Sequence, residues 1–218
     1  MSIKKISISN FRCFDSVDLE FSELNNFIYG ANGSGKTSVL EALYFCSTGR
    51  SFKSSNKNLC IQNDKEAFKI QIDTFDNNKI CILKKAKKSI FLEINESKAT
   101  SIELFRAIPS TLLDNKTFSM FADTPKYRRK ILDRCLMASD KNYSKDFFSF
   151  HRSLKQRNAA LKFKRLTNID MWSEIFINSG TLISEKRNNF FEETKQTFFR
   201  FAENLKDKRI LEIINSLE

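Results

Sequence analysis

The sequence predicts an α/β fold for the first half of the chain and an all-helical domain for the second, and three observations carry that expectation. Residues 29–38 read YGANGSGKTS and fit Gly-x-x-x-x-Gly-Lys-[Ser/Thr] as Gly30, Gly35, Lys36 and Thr37, the pattern of a loop that wraps phosphates. On both sides of it lie segments in which apolar and polar residues alternate with a period of two, as half-buried strands do. From about Ile102 the apolar spacing changes to three and four residues, the period of amphipathic helices.

Each element follows in chain order. Ile6 and Ile8 alternate with Ser7 and Ser9, and Val17, Leu19 and Phe21 with Asp18 and Glu20, so a turn over Cys13 to Ser16 would make two antiparallel strands. NNFIYG, residues 25–30, reads as a short buried strand entering Gly30. KTSVLEALYFCS then reads as a helix with Leu40, Leu43 and Tyr44 on its inner side. Beyond Gly49 come Phe68, Ile70 and Ile72, then Ile80 and Ile82, then Ile90, Leu92 and Ile94, three more alternating segments that form an antiparallel meander. DNNK, residues 76–79, supplies the turn between the first two, because Asp and Asn tolerate tight-turn dihedrals. A compact nucleoside kinase would instead alternate parallel strands with helices, so the meander points to an ATPase head of the ABC type. Pro125, after Asp123 and Thr124, suits a first helical position. Phe147, Phe150, Leu154, Asn158 and Leu161 continue the helical spacing, as do Trp172, Ile175, Phe176, Leu182, Ile183 and Phe190. Pro109 and Pro125 mark the changeover, giving a nucleotide-binding head over 1–110 and a helical domain over 111–218.

Composition excludes several classes. The chain has 218 residues, enough to bury roughly 70% of the surface its unfolded form exposes. Its 37 Lys and Arg against 26 Asp and Glu give a net charge of +11, which favours a polyanionic partner. Cys13, Cys46, Cys60, Cys81 and Cys135 stand far apart and His151 is the sole histidine, so neither a zinc site nor a disulfide framework is expected. No run approaches the length of a membrane span. A soluble protein of the cytoplasm is the expectation.

The phosphate loop states its own chemistry. Backbone N–H groups must point inward around a phosphate, and side chains at Gly30, Gly33 and Gly35 would obstruct that approach. Lys36 adds a charge for the terminal phosphates, Thr37 a hydroxyl for Mg²⁺, and the following helix its N-terminal dipole. Hydrolysis needs more: a strand-end carboxylate for the metal and a group that positions water. STLLD at 110–114 is too short for such a strand and the terminal LEIINSLE reads as helix, so no catalytic residue is assigned.

ISNFRCF, YGANGSGKTSVLEALYFCSTGRSFK, PKYRRKILD and LKQRNAAL, in this order, resemble the N-terminal portion of RecF, a bacterial recombination-mediator ATPase family related to SMC-type ABC heads. The resemblance implies a P-loop NTPase fold of ABC/SMC-head type. It implies ATP and Mg²⁺ as cofactors and an ATP-dependent homodimer. The implied partners are single-stranded DNA, gap junctions between single and double strands, and a RecR-type mediator, with a role in DNA replication, recombinational repair and the SOS response. By the family pattern Gly30, Ala31, Asn32, Gly33, Ser34, Gly35, Lys36, Thr37 and Ser38 hold the triphosphate. Arg12 resembles the family residue near the nucleotide, and Arg50 the basic residue placed by the GRSF turn. Departures stand at Thr111, where the family commonly has glutamine, and at Asn115 and Lys116, where it commonly has Pro-Glu. Family members carry their signature loop and metal-binding carboxylate beyond the equivalent of Glu218, so the chain is expected to end within its helical domain.

Arg128, Arg129, Arg152, Lys155, Arg157, Lys162, Lys164 and Arg165 fall on the basic helical segments YRRKILDR and HRSLKQRNAALKFKR. They suit either contact with DNA phosphates or a solvated helix face. Two other functions stay open on the residues alone: a stand-alone P-loop kinase and an inactive nucleotide-binding remnant.

Overall fold

The computed structural model describes residues 2–113, 125–164 and 167–205. Asp123, Thr124, Asn115, Lys116, Arg165 and the terminal LEIINSLE segment lie outside them. The contacts divide the chain into two compact units, Met1–Asp114 and Asn115–Glu218.

The first unit is built on a six-stranded sheet in the order β2-β1-β3-β4-β5-β6. Its strands are β1 (Ile3–Phe11), β2 (Phe14–Glu20), β3 (Ala67–Thr74), β4 (Lys79–Lys85), β5 (Ile90–Ile94) and β6 (Ser97–Lys98). Every pairing is antiparallel. Registers bring the alternating apolar residues into two rows that cross five strands. One row runs Leu19, Ile6, Ile72, Ile80, Ile94, and the other Val17, Ile8, Ile70, Ile82, Leu92. A slip of one residue in any strand would send its members of these rows to the opposite face. Helix α1 (Lys36–Thr48) and the short α2 (Ser101–Ala107) add Ala42, Phe45, Cys46 and Leu104 to the same core. Phe11, Phe45 and Phe68 meet edge to face, with ring centroids 5.0 to 6.2 Å apart. A Thr100–Glu103 capping box starts α2, each side chain bonding the other's backbone N–H, which satisfies two otherwise orphaned donors.

Four local expectations change. The β1–β2 turn is Arg12–Cys13 rather than Cys13 to Ser16, because Phe11 pairs directly with Phe14 and Arg12 takes a left-handed φ of 55°. The inner face of α1 carries Val39, Ala42, Phe45 and Cys46, while Leu40 is 47% exposed and Leu43 and Tyr44 are half-buried. Phe45 on that face packs edge to face against Phe11 and Phe68 of the sheet, which selects the face. Residues 25–30 pair with no strand among the described residues, and Phe27 and Tyr29 are 87% and 91% exposed. Local apolarity predicts a buried strand there, but a strand exists only where a neighbour supplies its hydrogen bonds. In the second unit, Leu182 belongs to the outer face at 45% exposure, whereas Ile183 is buried.

Among the described residues that unit holds three helices, α3 (Pro125–Ser139), α4 (Tyr143–Lys162) and α5 (Ile169–Leu205), with Pro125 opening α3 as its φ favours. Leu136, Tyr143 and Ile183 form its core, flanked by Phe147, Phe150 and Phe190. A polar clamp ties the three helices together. Tyr143 Oη donates to Asp133 Oδ1 at 2.5 Å, and Arg187 Nε and Nη2 donate to the two Asp133 oxygens at 2.7 and 2.9 Å.

Ile70 lies fully buried in the centre of one apolar row. Ile70→Ala should cost about 2–5 kcal/mol, against less than about 1 kcal/mol for Phe91→Ala on the half-exposed side of β5. Urea unfolding followed by circular dichroism measures both, and equal midpoints would contradict the assigned register.

Candidate functional site

The phosphate loop joins the exposed segment 25–29 to α1. Gly30, Gly33 and Gly35 all have positive φ, at 151°, 85° and 92°. At Gly33 a Cβ would meet open space, so backbone conformation alone selects glycine there. Gly35 has a second reason: a Cβ would lie 2.5 Å from the Phe14 ring and 3.0 Å from Cys13 Sγ. The β1–β2 turn therefore abuts the loop from behind, and Gly35 is the residue that lets it. Ser38 and Val39 donate their backbone N–H groups to Gly35 O at 2.8 and 3.0 Å, which starts α1 immediately after the glycine.

Lys36 Nζ donates to Gly30 O at 2.9 Å and Ala31 O at 2.7 Å, so the ammonium spans the concave side of the loop. Thr37 follows with an exposed side chain, while Ser38 is buried with its Oγ 3.7 Å from Cys13 Sγ. Asn32 and Ser34 are exposed on the loop. An apolar cleft of about 400 Å³ adjoins it, walled by Phe14, Val17 and Leu19 on one side and by Ile28 and Tyr29 on the other, with Lys36 at its lip. The glycine conformations, the lysine and the helix start together fit a triphosphate. Among the described residues no group of three or more His, Cys, Asp or Glu could hold a metal ion; the exposed Thr37 hydroxyl lies at the start of α1, one residue after Lys36.

Behind the loop lies a contact that sequence reasoning missed. Arg12 Nε and Nη2 donate to Glu41 Oε2 and Oε1 at 3.0 and 2.6 Å, and Nη1 donates to Leu59 O at 2.6 Å. Glu41 is fully buried on α1, and the Ser51 hydroxyl hydrogen-bonds its second carboxylate oxygen. Burial pushes the Glu41 carboxyl up, but hydrogen bonds from Arg12 and Ser51 outweigh it and hold the group below its ordinary range. The guanidinium of Arg12 is raised in turn, chiefly by its bond to Glu41. A signal was present: Ser38, Glu41, Ala42 and Phe45 share one helical face, so an acid stood where the pattern required a buried residue.

The remaining basic candidates separate. Arg50 is exposed beyond Gly49, which closes α1 at φ 63° with its N–H on Phe45 O at 2.7 Å. Arg128 and Arg129 are exposed on α3, and Arg152, Lys155, Lys162 and Lys164 are exposed on or just beyond α4. Arg152, Lys155 and Lys162 fall on one side of α4 by helical spacing. Arg157 faces the other way, half-buried, with Nε donating to Ser173 Oγ at 3.1 Å and the guanidinium 6.0 Å from the Phe176 ring centre. Its cation is used inside the helical unit. No helix among the described residues is long and apolar enough to cross a membrane.

Comparison with known proteins adds three findings. Residues 5–218 match the AAA domain family. The chain is 32% identical over 201 residues to the DNA replication and repair protein RecF of Shewanella piezotolerans, covering 90% of this chain and 56% of that protein. The RecF of Pseudoalteromonas translucida is 34% identical over 206 residues, 91% of this chain and 57% of its own. The chain thus spans little more than half the length of the curated relatives it matches. A solved structure of the recombination mediator protein RecF with ATP superposes with a TM-score of 0.82 at 28% identity, over 94% of this chain and 58% of that one. An Smc head bound to the C-terminal winged-helix domain of ScpA superposes at 0.52 with 21% identity, which shows the shared fold. The fold is that of an ABC/SMC-type P-loop head with an antiparallel meander, followed by helices.

Removing Arg12 would leave Glu41 buried without its cation, so Arg12→Ala should cost about 3–5 kcal/mol. Because the folded-state pKa of Glu41 is lowered, the stability it contributes is fully present above its unfolded pKa and is lost as pH falls through the folded value. Acid titration of unfolding free energy should show the wild type losing this contribution only below about pH 4.5. In Glu41→Gln that part of the pH dependence should disappear. A variant curve parallel to wild type through the acid range would show that the pair makes no such contribution.

Proposed function

The chain belongs to the AAA domain family and resembles RecF over nine-tenths of its length, and on that premise we propose that it is a RecF-like ATP-binding protein of DNA replication and recombinational repair. The observation that carries this reading is the loop itself: three glycines in left-handed conformations, a lysine folded across their carbonyls and a helix that begins at once. Residues 30–38 bind the triphosphate through inward backbone N–H groups, and Lys36 exchanges its carbonyl partners for phosphate oxygens. Thr37 supplies a hydroxyl to Mg²⁺. Arg12 contributes by position, since its bond to Glu41 fixes the β1–β2 turn against the loop and holds Phe14 beneath Gly35.

ATP binding serves a switch in this reading. Two heads close on the nucleotide, and the dimer engages single-stranded DNA and gap junctions, with a RecR-type mediator as protein partner and the SOS response as setting. On the helical unit, Arg128, Arg129, Arg152, Lys155 and Lys162 offer exposed cations to DNA phosphates, a contact that positions without reading sequence. Arg157 braces α4 against α5. The head extends over 1–110 and the helical domain over 111–218. The role this reading gives residues 30–38 is binding of the nucleotide.

Lys36→Ala removes the one charge at the terminal phosphates while leaving the backbone nest. Calorimetric titration should show ATP affinity falling by more than tenfold, the magnitude of one charge-assisted contact of about 1.5–3 kcal/mol. Phosphate release by the wild-type chain should be no faster than by the variant. Equal ATP affinity in the two proteins would refute the nucleotide site.

Changing Arg152, Lys155 and Lys162 together to Gln should flatten the slope of log K against log salt for single-stranded DNA by up to about 2, at roughly 0.7 per phosphate. Anisotropy titrations across a salt series provide the measurement. An unaltered slope would move the DNA surface off α4.

A further inference from the structure

Past the end of α1 the chain forms a cavity of about 440 Å³ between residues 50 and 57. Three cations, Arg50, Lys53 and Lys57, and three hydroxyl residues, Ser51, Ser54 and Ser55, line it, with no carboxylate among its lining residues and none of residues 30–38. The loop that makes it is built rather than slack. Ser51 Oγ accepts from the backbone N–H groups of Lys53 and Ser54 at 2.9 and 3.0 Å, and its hydroxyl also bonds Glu41 on α1. Ser54 Oγ accepts from Asn56 N at 3.1 Å, and Asn56 Oδ1 caps the following turn by accepting from Asn58 N at 3.1 Å. Phe52 sets its ring edge to face against Tyr44 of α1, centroids 5.6 Å apart.

Cations gathered in one place repel one another unless an anion joins them. The Lys57 ammonium is held below its ordinary pKa by burial first, and then by the charges of Arg50 and Lys84. Lys84 is itself buried, with Nζ donating to Lys85 O at 2.8 Å and Lys88 O at 2.6 Å. Glu41 lies behind Ser51, where Lys53 feels its charge, and it is already paired with Arg12. Net positive charge is therefore left facing the cavity, and the Ser55 hydroxyl stands beside it as a neutral donor, the Ser51 and Ser54 hydroxyls donating to Glu41 and to Asn56 O. That combination suits phosphate, whose several oxygens accept from ammonium, guanidinium and hydroxyl donors at once. A protein carboxylate would satisfy fewer of them.

We propose that the cavity formed by Arg50, Lys53, Lys57 and the serines at 51, 54 and 55 is a second phosphate site, taking a backbone phosphate of nucleic acid at the head unit. It rests on the reading that this protein acts on DNA, and it adds a contact on the head to those on the helices. The alternative source of the same chemistry is free phosphate.

The test uses the full chain with ATP present and a fluorescently labelled single-stranded oligonucleotide. Lys53→Gln with Lys57→Gln should lower the slope of log K against log salt by about 1.4, two contacts at roughly 0.7 each, while ATP affinity by calorimetry stays at the wild-type value. Ser55→Glu keeps all three cations and inserts a like charge for the phosphate to meet, so it should weaken oligonucleotide binding with the melting temperature unchanged. Wild-type affinity and slope in Ser55→Glu and in the double variant would overturn the site while leaving DNA binding by the helices intact. A wild-type chain that binds ATP but no oligonucleotide would overturn the DNA reading and the site with it. Inorganic phosphate titrated against the wild type should compete only at concentrations far above the oligonucleotide's. Phosphate binding lost in the double variant, with oligonucleotide binding preserved, would show a site for the free anion and overturn the proposal.

Discussion

The bidentate pair between Arg12 and Glu41 is the constraint on which the head unit turns. A carboxylate that is wholly buried must be paired and hydrogen-bonded or it takes up a proton, and here the partner comes from the β1–β2 turn, 29 residues earlier. The same guanidinium reaches Leu59 O, and Arg12 N donates to Cys60 O at 2.9 Å. One side chain thus gathers the hairpin turn, the helix that starts at the phosphate loop and the segment leading into β3. Since Ser51 bonds the same carboxylate, the loop after α1 is drawn in as well. The cost of placing a charge inside the core is offset by locating four chain segments against one another.

Around that pair the sheet supplies rigidity and the loop supplies chemistry. Two apolar rows across five strands hold β1 flat against α1, and Phe11, Phe45 and Phe68 lock the junction. Phe14, the first residue of β2, then presses its ring under Gly35. Gly35 is demanded from the protein side as well as from the phosphate side, because the hairpin leaves no room for a methyl group. In the helical unit Asp133 plays a comparable part, with Tyr143 and Arg187 converging on it from two other helices. Both units therefore use one buried acid to set the arrangement of elements that hydrophobic packing alone would leave free to slide.

The exposed charges are arranged differently. Arg152, Lys155 and Lys162 share a side of α4 and leave their ammonium and guanidinium groups in water, where an anionic partner can reach them. Arg157 lies within five residues of each of these in sequence and on the opposite side of the helix. In the head, Arg50, Lys53 and Lys57 converge on one cavity although the chain around them has no regular period. Charge density along a sequence is thus a poor guide to charge density on a surface.

What the sequence by itself determined was whatever is local. The phosphate loop was legible because its glycines act through backbone geometry and its lysine and threonine follow them at fixed spacing. The meander was legible because a period of two survives in any antiparallel sheet, and the long helices because 3.6 residues per turn imposes its own spacing. Tertiary structure decided what depends on partners far away in the chain. The apolar run Phe27–Ile28–Tyr29 looks like a buried strand but is exposed, since pairing is a property of two segments. The inner face of α1 was set by which residues meet the sheet, Phe45 against Phe11 and Phe68, while Leu40 on the same helix is left exposed. Arg12 and Glu41 carry no mutual signal in the sequence, because an ion pair between residues so far apart has no period; only the fold brings the guanidinium to an acid buried on the inner face of α1.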